Sequence, residues 1–452
     1  MLFRSRGGGE ALRLEATIGR LDPGRPFGFA AKVQSVGAEV WFTGAANRGV
    51  AGFQLVGPIK VAAADTSKFL SHLGVTAAPL RGASSIEAKL TWADGRVTLS
   101  DLMFESSETR ATGRVDLTES LRAGEVQLAV GRLDIEPWRD TVATLLGGAD
   151  GRDISLILSA EAVGFRGALM RQARAEVRLL DRQVAIRQLS ALAPGGTELT
   201  LFARVSSAGA VPTYEGEIDL ASDNLRVALA WLGIEPPGIP PDRLRRAGGS
   251  LRASFDGRRL TVPSFDLKLD ASRMLGSGNL ILGDAPRFDI RVAVDRFALD
   301  PYLPLLGVAL GAGAGGTLAA AVDLMAWRGI AMRDVDVEVE IADAVVDLRR
   351  LRIAEAGGAG IAATGRIGIE GVGSDLSFDL STRRPAELLR LFGNGDAIGA
   401  ADAPVTVAGR LHGPPTDLAL SGAVVTPQGT GDRKSTRLNS SHVSESRMPS
   451  SA

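Results

Sequence analysis

Imidazole titrates near neutrality and is the commonest metal ligand, so the histidines are the first residues to weigh for chemistry. His72 lies in the run Ser71-His72-Leu73-Gly74, and His412 follows an alternating stretch with no acidic residue beside it in sequence. These are the two histidines outside the tail at 432–452, which holds His442; they are far apart, and the chain has no cysteine. A metal site or a Ser-His-Asp triad has little to build on, and both histidines read as surface or helix-end residues. The carboxylates Asp334, Asp336, Glu338, Glu340 and Asp343 form the densest acidic group. Strand spacing puts the first four on one face, which is the solvated side of a half-buried sheet far more often than a calcium site. The glycine run 311–316 lacks the Lys-Ser/Thr of a phosphate loop and reads as a flexible connector. The runs 357–360 and 393–399 read the same way. No catalytic, cofactor-binding or metal residue emerges, and no enzyme is expected.

The elements that would position any site recur. Five segments combine a short strand, a polar or acidic turn and a brief amphipathic helix closed by glycine. They read VGPIKVAAADTSKFLSHLG, LAVGRLDIEPWRDTVATLLG, YEGEIDLASDNLRVALAWLG, IRVAVDRFALDPYLPLLG and LSFDLSTRRPAELLRLFG. They end at Gly74, Gly147, Gly233, Gly307 and Gly393, at intervals of 73, 86, 74 and 86 residues. A recurring unit implies an end-to-end array rather than separate globular domains. The expected organisation is a partial repeat at 6–74, repeats at 75–147, 148–233, 234–307 and 308–393, and a partial repeat at 394–431. The longer intervals have room for one more strand and turn, so four- and five-stranded units should alternate.

Composition narrows the class. The 452 residues carry a formal charge of −1, which suggests no nucleic-acid partner. Hydrophobic content is 45% with only 5% aromatic, the filling of many short aliphatic strands. Absence of cysteine suits a periplasmic location. No apolar run reaches the roughly 18 residues of a membrane span. The tail at 432–452, DRKSTRLNSSHVSESRMPSSA, is polar and aperiodic. It reads as translated sequencing adapter, as do residues 1–5. Both ends are expected to be artefact, the tail disordered, and the body an internal fragment of a longer chain.

Between the helical marks the pattern is strand. Val335, Val337, Val339 and Ile341 alternate with acidic residues, and Phe265, Leu267 and Leu269 alternate with Asp266, Lys268 and Asp270. A small-Gly-polar-apolar motif recurs as ATGRVDL at 111–117, GSGNLIL at 276–282, ATGRIGI at 363–369 and VAGRLHG at 407–413. Glycine there, at the start of a strand, suits a bulge or a sharp bend. Two tyrosines and five tryptophans are too few for the girdles of a membrane barrel, and no short coil period marks a β-helix. The remaining fold is mostly β: an elongated array of antiparallel strands that curls into a taco-like groove, with a short helix per repeat. The inner face is then either an apolar groove or a core filled by side chains.

These strands and strand-helix marks resemble the C-terminal region of the AsmA family, within the bacterial bridge-like lipid-transfer group that includes TamB. The resemblance covers most of residues 9–431 and rests on patterns, not on invariant side chains. It implies an inner-membrane anchor N-terminal to this fragment, a periplasmic β-rich body in a Gram-negative bacterium, and a role in phospholipid movement or outer-membrane assembly. It favours the groove. The expected partners are phospholipid acyl chains, the membrane through the missing anchor, and envelope proteins. The groove candidates are Val335, Val337, Val339, Ile341, Phe265, Leu267 and Leu269. The alternative is a structural scaffold with a filled β core that binds envelope proteins by strand addition.

Overall fold

The computed structural model describes the chain from Leu2 to Asn439, apart from residues 8–9, 23–24, 36, 50–51, 69–79, 108, 139–150, 182, 207–210, 305–314, 343–344, 369–372, 386–402, 415–416 and 427–428. The chain is mostly β and divides into two units, Met1–Ile234 and Glu235–Ala452. The boundary falls one residue after the third mark closes at Gly233. The first unit holds β1 (Leu2–Gly7), β2 (Glu10–Ile18), β3 (Phe27–Ser35), β4 (Ala38–Gly49), β5 (Gly52–Ala63), β6 (Ser84–Ala93), β7 (Arg96–Ser106), β8 (Arg110–Thr118), β9 (Ala123–Asp134), β10 (Asp153–Phe165), β11 (Ala168–Leu180), β12 (Gln183–Ala193), β13 (Thr197–Ser206), β14 (Thr213–Ser222) and the helix α1 (Leu225–Trp231). The second holds β15 (Ala247–Phe255), β16 (Arg259–Leu269), β17 (Ser272–Ile281), β18 (Arg287–Ala298), β19 (Gly315–Trp327), β20 (Ile330–Ala342), β21 (Val345–Ala356), β22 (Ala359–Gly368), β23 (Ser374–Thr382), β24 (Val405–Gly413), β25 (Asp417–Thr426) and β26 (Gly429–Asn439).

Within each unit the main packing partners of every strand are its sequence neighbours. Among the described residues, the strands between successive marks number four, five, four and five. The fifth strand accounts for the longer intervals. It is β10 in one unit and β19 in the other, each 13 residues long. Both pair parallel to the strand before the mark, β10 on β9 and β19 on β18. These two seams correct the expectation of a wholly antiparallel sheet. A meander reverses direction at each strand, so an added fifth strand would send the next mark to the other edge. A parallel seam cancels that reversal. In the first unit β5, β9 and β14 therefore run the same way, and their marks leave from one edge. In the second unit β18 and β23 obey the same rule.

The five-stranded parts repeat in detail. β11 reads ALMRQARAEVRLL and β20 reads IAMRDVDVEVEIA. Gln172 and Asp334 occupy the same place in these strands, and both have positive φ, 52° and 50°. Each part opens with an aromatic-Arg-Gly hairpin, Phe165-Arg166-Gly167 and Trp327-Arg328-Gly329. Arg and Gly take φ of 49° and 72° in one and 51° and 78° in the other, as a tight I′-type turn requires. Each turn is held by the acidic residue that begins the preceding mark. The Arg166 N–H donates to Glu136 Oε1 at 2.8 Å, and the Arg328 N–H donates to Asp300 Oδ2 at 2.8 Å. The Glu136-Pro137 and Asp300-Pro301 pairs thus start a helical turn and pin the next hairpin with one side chain.

The marks begin as helical turns at Thr66, Glu136, Leu225, Asp300 and Pro385. Most of the first, second and fifth, and residues 305–307 of the fourth, lie outside the described residues, as do His72 and the closing glycines 74, 147, 307 and 393. The third is complete. Asn224 caps α1 by accepting the Val227 N–H. Gly233 (φ 77°) ends it, with Gly233 N–H on Ala230 O and Ile234 N–H on Leu229 O. A seven-residue helix cannot persist alone. α1 is anchored by Trp231, whose indole N–H donates to Phe165 O at 2.9 Å and whose ring meets Phe165 edge-on.

Several local expectations change. The motif glycines 113, 278, 365 and 409 lie inside β8, β17, β22 and β24, not at strand starts. Gly113, Gly278 and Gly365 do border bulges in the preceding strand, whereas Gly409 sits in regular register. The run 357–360 is no loose connector. Gly357 and Gly358 (φ 55° and 79°) make the tight β21–β22 turn, and Ala359 and Gly360 begin β22. Gly315 and Gly316 likewise open β19. The run 393–399 lies outside the described residues. Residues 432–439, expected to be disordered, form most of β26 on β25, and Leu2–Gly7 pairs with β2. A sheet end offers unpaired main-chain N–H and C=O groups, which any extended segment can meet whatever its side chains.

Candidate functional site

All seven groove candidates lie on one face of the second unit, joined by cross-strand register. One row runs Leu267–Met274–Val294–Val322–Val335–Ile353–Ile361–Leu380–Val407–Val424, one residue from each of β16 to β25. The row beside it runs Phe265–Gly276–Val292–Ala320–Val337–Leu351–Ala363–Phe378–Gly409–Gly422. Val339 pairs with Leu318 and Leu348, Ile341 with Gly316 and Val346, and Leu269 with Ala247. The first unit has its own row, Leu14–Val33–Val40–Val61–Ile86–Phe104–Ala111–Val130–Ala160–Ala173, from β2 to β11. Alternation alone identifies the members within each strand. Their alignment across strands depends on register, which single-strand patterns do not encode.

The face is thinly buried. Val294, Val322, Met332, Val335, Ile353 and Ala356 make a buried cluster, with Val335 only 2% exposed. Val337, Val339, Ile341, Phe265, Leu267 and Leu269 are half-buried, and Val424 is exposed. Among the described residues no large side chain is fully enclosed.

The opposite face is ionic. Arg178 grips Asp153 with two bonds of 2.9 and 3.0 Å, and Arg273 grips Asp266 at 3.0 and 2.7 Å. Arg410 Nε donates to Asp375 at 2.6 Å. In each pair the arginine hydrogen bond holds the carboxyl below the usual carboxylate range. Arg350 bridges Asp336 and Glu338 at 3.2 and 3.4 Å, and Arg349 pairs with Glu340. The acidic face of β20 is thus partnered by β21, as a solvated sheet face should be. Asp334 sits at the positive-φ position of β20, and Asp343 lies outside the described residues. No acidic, histidine or cysteine group among the described residues is arranged to hold a metal ion. His412 faces Asp375 across the β23–β24 ladder, a neighbour invisible in the sequence, but Arg410 already grips that carboxylate.

Two glycines on the apolar face are covered by aromatic rings. A methyl group on Gly409 would fall 2.3 Å from Phe378 Cζ, and one on Gly276 would fall 2.5 Å from Phe265 Cζ. Each pair is directly opposite across its ladder. No helix among the described residues is long and apolar enough to cross a membrane. No family model matches the sequence, and no curated protein matches it significantly.

Proposed function

We propose that this chain is a periplasmic segment of an AsmA-like envelope protein, and that it binds or conducts phospholipid along its apolar β face in outer-membrane lipid homeostasis or assembly. The observation that carries the reading is the continuous apolar row in each unit, mostly aliphatic, in which more than half of the members are only half-buried. Along β20 the apolar positions extend from Met332 to Ile341, about 30 Å at roughly 3.3 Å per residue. An acyl chain spans about 15 Å, half of the ~30 Å hydrocarbon core of a bilayer, so the band holds one lying along a strand with its head group in water. Repeated bulges bend and twist the strands and favour a curl that turns this face inward. The mechanism is passive: each methylene taken from water contributes about 0.8 kcal/mol.

The test is lipid extraction and mass spectrometry on the full chain, produced in a Gram-negative periplasm and purified without detergent. Phospholipid retained by the wild type, and lost in folded Val337→Asp and Leu267→Asp variants, supports the reading. A folded, lipid-free protein overturns it and leaves the scaffold with strand-addition partners.

A further inference from the structure

We infer that Phe378 and Gly409 form a level section of the apolar floor, set so that a bound acyl chain passes from strand to strand rather than lodging. This rests on the lipid reading above. Phe378 of β23 is directly opposite Gly409 of β24. The ring reaches so far over the glycine that a β-carbon there would meet Cζ, Cε1 and Cε2 at 2.3, 2.7 and 3.1 Å. The aromatic side chain therefore spends its length across the sheet instead of standing up from it. The next position along the row is Gly422, which adds no side chain. In the other direction the row continues through Ala363, Leu351, Val337, Ala320 and Val292 to the second ring-on-glycine pair, Phe265 over Gly276. The two largest side chains in the row are the two laid flat.

Gly409 gives the cleaner experiment. The three atoms nearest to its β-carbon would all belong to the tip of one side chain, whereas a β-carbon on Gly276 would also strike the Arg291 carbonyl oxygen at 2.3 Å. Gly409→Ala therefore displaces the ring while the backbone stays in place. The ring must leave for another staggered rotamer, either off the floor or along its own strand, and both raise an obstacle in the row.

The experiment uses the full chain and follows a fluorescent phosphatidylethanolamine from donor to acceptor vesicles of phosphatidylethanolamine and phosphatidylglycerol, beside the amount of lipid retained at equilibrium. Gly409→Ala is expected to slow transfer about tenfold, equivalent to ~1.4 kcal/mol, with retained lipid unchanged. The double variant Phe378→Ala/Gly409→Ala, which has no ring to lift, is expected to recover transfer. A folded Gly409→Ala protein that transfers at the wild-type rate overturns the inference and leaves the lipid reading standing, as does a folded double variant that stays slow. A wild type that neither retains nor transfers lipid overturns both.

Discussion

Val335 and Val337 are two residues apart on the same face of β20, yet a carboxylate at each should have different consequences. Val335 is 2% exposed and packs within the cluster of Val294, Val322, Met332 and Ile353. Val335→Asp forfeits about 2 kcal/mol of apolar burial. It also places a carboxylate among groups that cannot donate to it, at a further cost of about 3 kcal/mol or more. A loss of about 5 kcal/mol rivals the whole stability of a typical domain. Val337 is half-buried, so the same change there loses about 1 kcal/mol while the carboxylate reaches water. Urea unfolding followed by hydrogen exchange in peptides from β18 to β22 reads the second unit directly. The expected result is a Val335→Asp protein whose second unit exchanges freely and a Val337→Asp protein with a midpoint near that of the wild type. Equal destabilisation by the two variants would refute the argument, because the difference in enclosure would then carry no energy.

Three further outcomes follow from named contacts. Asp270 accepts the N–H groups of Leu244, Arg245 and Arg246 at 2.8, 2.9 and 3.0 Å. Asp270→Ala should cost about 1–3 kcal/mol and speed amide exchange at 244–246, and unchanged exchange would show the bonds to be idle. Gly365 has φ of 134°, and a β-carbon on it would lie 2.2 Å from the Asp375 carbonyl oxygen. Gly365→Ala should therefore destabilise the second unit by about 1–3 kcal/mol in chemical denaturation, opposite to the usual gain from removing a strand glycine. Asp153, Asp266 and Asp375 have folded pKa values below their ordinary 3.8 because Arg178, Arg273 and Arg410 bond the charged form. A lowered folded pKa means the stabilisation is present above pH 3.8 and is lost as pH falls through the folded value. Stability from these pairs should hold from neutrality to about pH 4 and fall below it, and Asp375→Asn should make that acid limb shallower in pH-dependent melting.

The candidate residues were legible because each strand carries its own period of two. Val335, Val337, Val339 and Ile341 separate from Asp336, Glu338 and Glu340 whatever their neighbours do. The ring-on-glycine pairs were not legible, although the glycine motifs were. Phe378 lies near the start of the fifth mark and Gly409 beyond its end, and nothing local says that they are opposite. The acidic-Pro starts were visible as helix starts, but their second role, holding the Arg166 and Arg328 turns, needs a hairpin about thirty residues further on. The end strands failed for the opposite reason. Their side chains argue for nothing regular, while main-chain pairing at an open ladder needs no particular side chain.

What the sequence determined by itself was therefore what short-range order carries: a β-rich repeat, two-faced strands, and an extra strand's worth of residues in alternate intervals. Only the tertiary structure decided that the extra strands β10 and β19 run parallel to their predecessors, that the marks of each unit consequently leave from one edge, and that the aliphatic positions line up into rows. Alternation is a property of one strand and survives any pairing. Direction and register belong to pairs of strands, and main-chain hydrogen bonds form almost equally well in several of them. The choice falls to contacts distant in sequence, such as Val335 against Val322 and Ile353, and to the Glu136 and Asp300 carboxylates, which tie the second and fourth marks to the hairpins after them.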